Sequence, residues 1–316
     1  MKIIGGVQYQ IEAPPSYFVH VPKTGGITLG SFLEKVYFFK KTVRLTRKKM
    51  AKLSLDEFKH FTFYHSLHQG RPLLELTERS DLACFTMLKD PVERTISQIL
   101  YLQRTVSKAP HTFTVEYLER IKPILDSNLT ALLDVDAFGI ACDSQLRTLG
   151  YREDYTPLFS GNPDAVSGRT LIRPYSLPAL MDPTDQKLLM NNACEWLSTM
   201  NVVGITEHYD ESVRLICDVL GIAPPSKLPR KNANPARITS KSGYRGLLSP
   251  YLISQIEDLT QQDKILYNHA NELFKEQWAR FQSKPSRTFS ILPRVTQKIK
   301  QSQLVKFLGP VRRWMQ

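Results

Sequence analysis

A lysine, two hydroxyl residues and two glycines stand close together near the start of the chain, in residues 22–29 with the sequence PKTGGITL. Glycines let a backbone turn sharply and approach a ligand, and the N–H groups at a helix start attract anions. A β-rich run precedes this segment at residues 17–21, and an apolar-periodic stretch follows it. The order strand, turn and helix predicts a phosphate-binding loop. The groups predicted to bind the phosphate are Lys23, the backbone amides of residues 24–28, and the hydroxyls of Thr24 and Thr28.

A second segment, residues 88–97 with the sequence LKDPVERTIS, runs from the end of a predicted strand into a predicted helix. An acidic cap at Asp90, a proline next to it and a glutamate three residues after it mark the helix start. Lys89 is expected at the carboxyl end of the strand, and Ser97 two turns into the helix. Both side chains can therefore reach the edge of the sheet where ligands bind in open α/β folds.

Hydrophobic periodicity along the chain predicts strands that alternate with helices. Strands are predicted at residues 17–21, 61–65, 82–88 and 201–206. Helices are predicted from Thr28 to about Phe39, from Pro91 onward, over 113–126 and 184–200, after 206 to near Leu220, and from Ser249-Pro250 through Leu273. Because this alternation implies parallel strands joined by helical crossovers, the predicted fold class is α/β, a parallel sheet flanked by helices.

The composition is that of a globular chain, with 42% hydrophobic and 23% charged residues among 316, which excludes a mostly disordered or fibrous protein. No apolar run approaches 18 residues, so no transmembrane segment is expected. The N-terminal apolar stretch is too short for a signal peptide. The four cysteines are scattered without a CxxC pair, which predicts reduced thiols and a cytoplasmic location.

The positive charge is concentrated near the C-terminus. Residues 281–316 contain eight of the 42 lysines and arginines and none of the 30 acidic residues, so the other 280 residues carry only +4 of the net +12. We therefore predict one domain over 1–283 and a basic tail over 284–316. A body with so little excess charge needs only a local basic pocket for a small polyanion, and no nucleic-acid partner is expected. The tail either contacts an anionic surface or packs on the body without such a role.

The two motifs, in this order, resemble those of sulfotransferases that use 3′-phosphoadenosine 5′-phosphosulfate (PAPS). The resemblance covers residues 16–280 in outline and is to the carbohydrate group, which includes the heparan sulfate 2-O- and 6-O-sulfotransferases and bacterial relatives. It implies a P-loop-like sulfotransferase fold, with PAPS as cofactor and adenosine 3′,5′-bisphosphate as product. It assigns the 5′-phosphosulfate to Lys23, Thr24, Gly25, Gly26, Ile27, Thr28 and Leu29, and the 3′-phosphate to Lys89 and Ser97. Ile27 replaces a small or hydroxyl residue of the family, and Lys89 replaces an arginine, which loses the guanidinium fork.

Three further segments resemble the family more loosely. Residues 145–149, QLRTL, resemble a QxRxL segment of the 6-O type, and residues 203–209, VGITEHY, resemble a VGxTEHxD-like segment of bacterial members. The stretch 237–241, RITSK, precedes the last helix where the family places a basic loop over the 3′-phosphate. The resemblance adds Arg237, Thr239 and Lys241 as ligands of that phosphate; a solvated surface loop is the alternative interpretation.

Sulfuryl transfer requires a group that stabilises the leaving phosphate and a base that takes the acceptor's proton. Lys23 suits the first role, and histidine, whose pKa lies near neutrality, suits the second. His65 and His68 follow the second predicted strand; FYHxxH resembles a segment of the 2-O enzymes, and SLHxG resembles one of the 6-O type. We predict His65 as the base, with His68 as the second candidate; the alternative interpretation is that one of the two is a structural histidine. No metal site is expected, because neither histidine has a metal-ligand partner nearby in the sequence.

Other classes of function stay open at this point. A nucleotide kinase uses a similar strand–turn–helix, although the chain has no Gly-Lys dipeptide and so lacks the pattern GxxxxGK[ST]. A protein that docks on membranes or polyanions through its basic tail is a third interpretation. For a sulfotransferase, the acceptor could be a glycan, a small alcohol or guanidine-bearing metabolite, or a peptide tyrosine.

Overall fold

The computed structural model describes most of the region that carries the two motifs. The described residues are 2–4, 7–9, 13–38, 40–45, 47–67, 70–108, 143–152, 155–159, 182–225 and 243–284, with a few separate positions between 115 and 122. The predicted helix at 113–126 falls almost wholly outside these residues, and so does the basic tail from residue 285 onward.

The strands of the described chain form two sheets. They are β1 (Lys2–Ile4), β2 (Val7–Tyr9), β3 (Ser16–His20), β4 (Thr42–Leu45), β5 (Phe63–Leu67), β6 (Ala83–Leu88) and β7 (Val202–Ile205). The first two pair antiparallel, and the other five form a parallel sheet in the order β4-β5-β3-β6-β7. Every residue of β3, β6 and β7 is buried, as expected for parallel strands covered on both faces.

Helices connect and cover the sheet. They are α1 (Gly26–Val36), α2 (Arg47–Met50), α3 (Leu55–Lys59), α4 (Arg71–Glu75), α5 (Pro91–Lys108), α6 (Ser144–Gly150), α7 (Pro183–Thr199), α8 (Tyr209–Leu220), α9 (Pro250–Leu259) and α10 (Gln261–Gln282). Short 3-10 turns occupy Thr156–Phe159, Thr206–His208 and Arg245–Leu247. The expected α/β class, a parallel sheet flanked by helices, is confirmed.

The strand order places a ligand crevice between β3 and β6. The chain leaves β3 toward β4 on one side of the sheet and leaves β6 toward β7 on the other. Where neighbouring parallel strands send their connections in opposite directions, a crevice opens beyond their carboxyl ends. Both predicted motifs begin at these two ends, because Lys23 follows β3 and Lys89 follows β6 directly.

Local sequence signals predict several elements well. The start of α5 is one of them: the Asp90 carboxylate accepts the backbone N–H of Glu93 at 3.0 Å, and Pro91 is the first helical residue. The second predicted strand lies two residues later than expected, at Phe63–Leu67. The strand β4 has no counterpart among the predicted elements.

The prediction of one long helix after Ser249-Pro250 is wrong, since α9 ends at Leu259 and α10 begins at Gln261. The reason is a long-range contact. The backbone N–H of Asp263 donates to the carboxylate of Asp143 at 2.8 Å, and therefore cannot complete the helical ladder back into α9. An apolar spacing that continues through Leu273 gives no sign of this break.

Among the residues that the structure describes, no helix combines the length and the apolar character needed to cross a bilayer. The cysteines of the described chain, Cys84, Cys194 and Cys217, are free thiols.

Candidate functional site

The loop between β3 and α1 contains two left-handed backbone positions, with φ 69° at Lys23 and φ 83° at Gly25. The Thr24 hydroxyl closes the turn by donating to the carbonyl oxygen of Val21 at 2.8 Å. At Gly25 a Cβ atom would lie 2.9 Å from the ring of Tyr209, whose hydroxyl donates to the Gly25 carbonyl oxygen at 3.3 Å. Glycine at this position suits both the backbone conformation and the close aromatic neighbour.

The first turn of α1 is suited to an anion. Its N-cap residue, Gly25, supplies no side-chain hydrogen bond, and the first turn contains no acidic residue. Helix N-termini carry a partial positive charge and backbone N–H groups that need partners. With Lys23 directly before it, this end of α1 can cradle a phosphate or sulfate group.

The other predicted loop residues differ in what they present. Thr24, Gly26 and Thr28 are buried, and Ile27 is 44% exposed. Leu29 lies in the hydrophobic core, and its N–H donates to the Gly25 carbonyl oxygen at 3.3 Å. Leu29 therefore supports the helix rather than offering a group of its own to a ligand.

The Lys23 ammonium lies 4.2 Å from the centre of the Tyr101 ring on α5. Burial, with the nearby guanidinium groups of Arg104 and Arg94, lowers the pKa of Lys23 to about 8. Arg94, Ser97, Tyr101 and Arg104 are spaced three, four and three residues apart, which places them on one face of α5. The structure thus brings Ser97, half-buried, to the helix face that is turned toward the glycine loop.

Lys89 is only 2% exposed and lies at the carboxyl end of β6. Its ammonium donates to the Glu93 carbonyl oxygen at 3.1 Å and lies 4.8 Å from the centre of the Tyr244 ring. The Glu93 carboxylate is 3.9 Å from the same ammonium. The Tyr244 ring therefore packs directly against the Lys89 ammonium.

The segment that carries Tyr244 is fastened to the start of α5. The backbone N–H of Arg245 donates to the Glu93 carboxylate at 3.0 Å, and its guanidinium lies 3.4 Å from Asp90 and 2.6 Å from Glu257. Tyr244 and Arg245 were not among the predicted site residues. Their sequence context, after a long stretch without periodicity, contains no signal that would have singled them out.

Residues of the VGITEHY segment join the two motifs. The Thr206 hydroxyl lies 2.9 Å from the carbonyl oxygens of both Thr24 and Leu88, one in each motif. The next residue, Glu207, accepts the backbone N–H of Asp90 at 3.3 Å and the hydroxyl of Tyr267 at 2.9 Å. The resemblance noted for this segment therefore corresponds to residues that hold the candidate site together.

A buried polar cluster supports Lys89 from behind. Gln145, the first residue of the QLRTL segment, bonds with its side-chain amide to the backbone of Lys89. Asp263 accepts the backbone N–H groups of Gln145 and Leu146 at 3.2 and 2.8 Å, while Asp143 accepts that of Asp263. Burial and the neighbouring carboxylate raise the pKa of Asp143 to about 7. The Asp263 carboxylate thus caps the start of α6, and the Asp143 carboxylate caps the start of α10.

The predicted base, His65, lies beneath α1 and is 1% exposed. Its Nε2 atom is 3.1 Å from Nδ1 of His20, and its Nδ1 atom is 3.1 Å from Oε1 of Glu34. Burial lowers the pKa of His65 and outweighs the opposing effect of Glu34. With both ring nitrogens engaged inside the protein, His65 does not face the crevice directly. His20 itself is the last residue of β3.

Other predicted site residues, namely His68, Arg237, Thr239 and Lys241, lie outside the described residues. Within the described part of the chain, no group of three or more His, Cys, Asp or Glu residues is placed to hold a metal ion.

Comparison with models of known protein families gives no match to this chain, and comparison with curated proteins gives no significant match.

Proposed function

We propose that this protein is a PAPS-dependent sulfotransferase with a P-loop-like sulfotransferase fold. It moves a sulfuryl group to a hydroxyl or amine of a glycan or small-molecule acceptor in the cytoplasm. The observation that carries the proposal is the adjacency of β3 and β6 in the sheet. It brings a glycine loop with Lys23 and a second basic motif with Lys89 and Ser97 to one crevice, as a ligand with two separate phosphates requires.

The 5′ end of the cofactor suits the glycine loop. The uncapped start of α1 and the Lys23 ammonium face the same region, and both favour an anion there. When the bond between sulfur and the bridging oxygen breaks, negative charge grows on the 5′-phosphate. Lys23 is the residue assigned to stabilise that charge.

The 3′ end of the cofactor is assigned to Lys89 and Ser97. The Lys89 ammonium, buried and in contact with Tyr244, would donate to the 3′-phosphate once the ring yields, and the Ser97 hydroxyl would add a hydrogen bond. Tyr244 then lies at the boundary of the site, where an aromatic ring can pack against a nucleoside base.

A thermal-shift experiment tests the cofactor. Adenosine 3′,5′-bisphosphate should stabilise the fold by about 2.7 kcal/mol at 100 times its Kd, with ATP and GTP giving smaller shifts. Lys23→Met should sharply reduce the shift, whereas Lys35→Met, which removes an exposed lysine from α1, should keep it. A larger shift with ATP or GTP would favour the nucleotide-kinase alternative. No shift with millimolar adenosine 3′,5′-bisphosphate would overturn the proposal.

A further inference from the structure

The ammonium group of Lys23 lies against an aromatic ring and not against an acid. Its nitrogen is 4.2 Å from the centre of the Tyr101 ring on α5. Among the residues that the structure describes, no carboxylate and no hydrogen-bond acceptor acts on this ammonium. The Lys89 ammonium of the second motif, by contrast, donates to the Glu93 carbonyl oxygen at 3.1 Å and has the Glu93 carboxylate 3.9 Å away. Lys23 therefore differs from Lys89 in having an aromatic ring without an acid beside it.

The surroundings of Lys23 work against its positive charge. Lys23 is partly buried, and the loss of hydration disfavours an ammonium ion. Arg94 and Arg104 on α5 add like charges, and together these effects lower the pKa of Lys23 to about 8. The neighbouring hydroxyl of Tyr209 on α8 stays neutral, because burial raises its pKa. Of the described groups at this ammonium, the Tyr101 ring is the one that favours the charged form.

An aromatic ring stabilises a cation without neutralising it. The face of the ring attracts the ammonium electrostatically but carries no net charge. A carboxylate in the same place would form an ion pair, and an incoming anion would have to compete with it. With Tyr101 as its neighbour, Lys23 keeps its full positive charge for an anion at the start of α1.

The place of Tyr101 on α5 relates it to both motifs. Tyr101 follows Ser97 by four residues, so the two side chains share one face of the helix. Lys23 has a left-handed backbone conformation, with φ 69°, which costs free energy for a residue with a side chain. From this conformation the lysine side chain reaches across to α5. The contact therefore links the glycine loop to the helix of the second motif.

We propose that Tyr101 is a positioning residue of the 5′-phosphosulfate site, where its ring holds the Lys23 ammonium, in its charged form, between the glycine loop and α5. This inference rests on the proposed function for the identity of the anion. Tyr101 acts through Lys23, and the face of its ring carries the interaction, so its hydroxyl has no part in the role. Without the ring, Lys23 loses its proton at a lower pH and the site loses affinity for an anion.

Carbon-13 spectra of the full chain, labelled at the lysine ε-carbons, test the contact without any ligand. Lys23→Met identifies the Lys23 signal by its absence. Tyr101→Leu removes the ring and should lower the midpoint of the Lys23 titration by about 0.4–1.5 pH units, the shift that corresponds to a cation–π interaction. Tyr101→Phe keeps the ring and should titrate like the wild type.

A tyrosine elsewhere on the surface provides the matched control. Tyr251 on α9 is 64% exposed, and Tyr251→Leu should leave the Lys23 midpoint unchanged. A Tyr101→Leu variant with the wild-type midpoint would overturn the proposal. A changed midpoint in Tyr101→Phe would also overturn it, because the ring is still present in that variant.

The affinity for adenosine 3′,5′-bisphosphate, measured by calorimetry at two pH values, tests the consequence for the site. At about pH 8, Tyr101→Leu should bind about 2–15-fold more weakly than the wild type, because less of its Lys23 is charged. At about pH 6 the ammonium is mostly charged in both proteins, so the difference should shrink. Tyr101→Phe should match the wild type at both values.

The two pH values also separate positioning from a structural defect. A defect in folding or packing would weaken binding equally at both, and that result would overturn the role of Tyr101. A wild type that does not bind the bisphosphate at either pH would overturn the proposed function, whereas the Lys23 titration would still decide whether the ring holds the ammonium.

Discussion

The side-chain amide of Gln145 pairs with both backbone polar groups of Lys89: it accepts the N–H at 2.9 Å and donates to the carbonyl oxygen at 2.9 Å. The carboxyl end of β6 is thereby held to α6, although the two residues are 56 positions apart in the chain. Buried backbone groups need such partners where a strand ends. The orientation of the Lys89 side chain therefore depends on a helix that the second motif does not include.

Replacing Lys89 should weaken cofactor binding. Lys89→Met keeps the length of a buried side chain and removes its charge, so the affinity for adenosine 3′,5′-bisphosphate should fall by about 1.5–3 kcal/mol. Lys89→Arg keeps the charge and should preserve most of the affinity, as the family resemblance indicates. Isothermal titration calorimetry measures both. Equal affinities for the wild type and the Met variant would show that the second motif is misassigned.

The affinity for adenosine 3′,5′-bisphosphate should fall with increasing pH above about 8. Burial and the charges of Arg104 and Arg94 lower the pKa of Lys23 to about 8, so its ammonium is lost above that pH in the free protein. The ligand's phosphates are fully charged well below that range, so their own titration adds nothing. Calorimetry between about pH 7 and about pH 9.5 should show a decline that approaches tenfold per unit. Lys23→Met should bind more weakly and without this dependence; a pH-independent wild type would contradict the assignment.

Gly30→Ala should destabilise the protein although alanine is the better helix former. The added Cβ would lie 2.3 Å from Cε1 of the buried His65, and relief of such an overlap costs about 1–3 kcal/mol. Urea unfolding measures the change, with Lys35→Ala on the exposed side of α1 as the control that stays within about 0.5 kcal/mol. His65→Ala should cost less in the Gly30→Ala background than in the wild type, because the overlap is gone. Additive effects would refute the close contact.

Asp143→Asn should change how stability depends on pH. Burial and the Asp263 carboxylate raise the pKa of Asp143 to about 7, so the native state favours its protonated form. The contribution of protonated Asp143 to the free energy of unfolding is fully present below its ordinary pKa near 4, and it is lost as the pH rises through about 7. The asparagine side chain of the variant can still accept the Asp263 N–H and does not titrate. The free energy of unfolding of the variant, relative to the wild type, should therefore rise between about pH 4 and about pH 7.

A second aspartate, Asp182, serves as the control, because its pKa is shifted in the opposite direction. Asp182 caps α7 by accepting the backbone N–H of Thr184 at 2.8 Å, and that hydrogen bond lowers its pKa. Its contribution is present above its ordinary pKa and lost on acidification, so Asp182→Asn should not gain stability as the pH rises. Urea titrations at several pH values compare the two variants. A pH-independent difference for Asp143→Asn would contradict the role of its raised pKa.

The sequence predicts those parts of the fold that local signals determine. These parts are the apolar strands β3, β6 and β7 and the helix cap at Asp90. They can be predicted because residues close together in the sequence determine them. The break between α9 and α10 cannot be predicted in this way, since it depends on Asp143, which lies 120 residues before Asp263 in the chain. The same is true of β4, a four-residue strand whose pairing partner β5 follows α3.

The candidate site likewise has one part that the sequence predicts and another that it does not. Each of the two motifs is a continuous run of residues, so residue types and spacing are enough to mark Lys23, Lys89 and Ser97 as candidates. The hydrogen-bond chain from His20 through His65 to Glu34 draws on β3, β5 and α1, and no spacing within one segment reveals it. The covering of Lys89 by Tyr244 is equally non-local, because 155 residues separate the two side chains.

The Thr206 hydroxyl ties the glycine loop to the end of β6 through the carbonyl oxygens of Thr24 and Leu88. The two loops are therefore held at a set separation before any ligand arrives. Under the proposed function, a ligand with two phosphates would be selected by the distance between them, and a molecule with one phosphate, or with a triphosphate at a single end, would satisfy only half of the arrangement. Discrimination among nucleotides would follow from the rigidity of one threonine bridge rather than from contacts to the base.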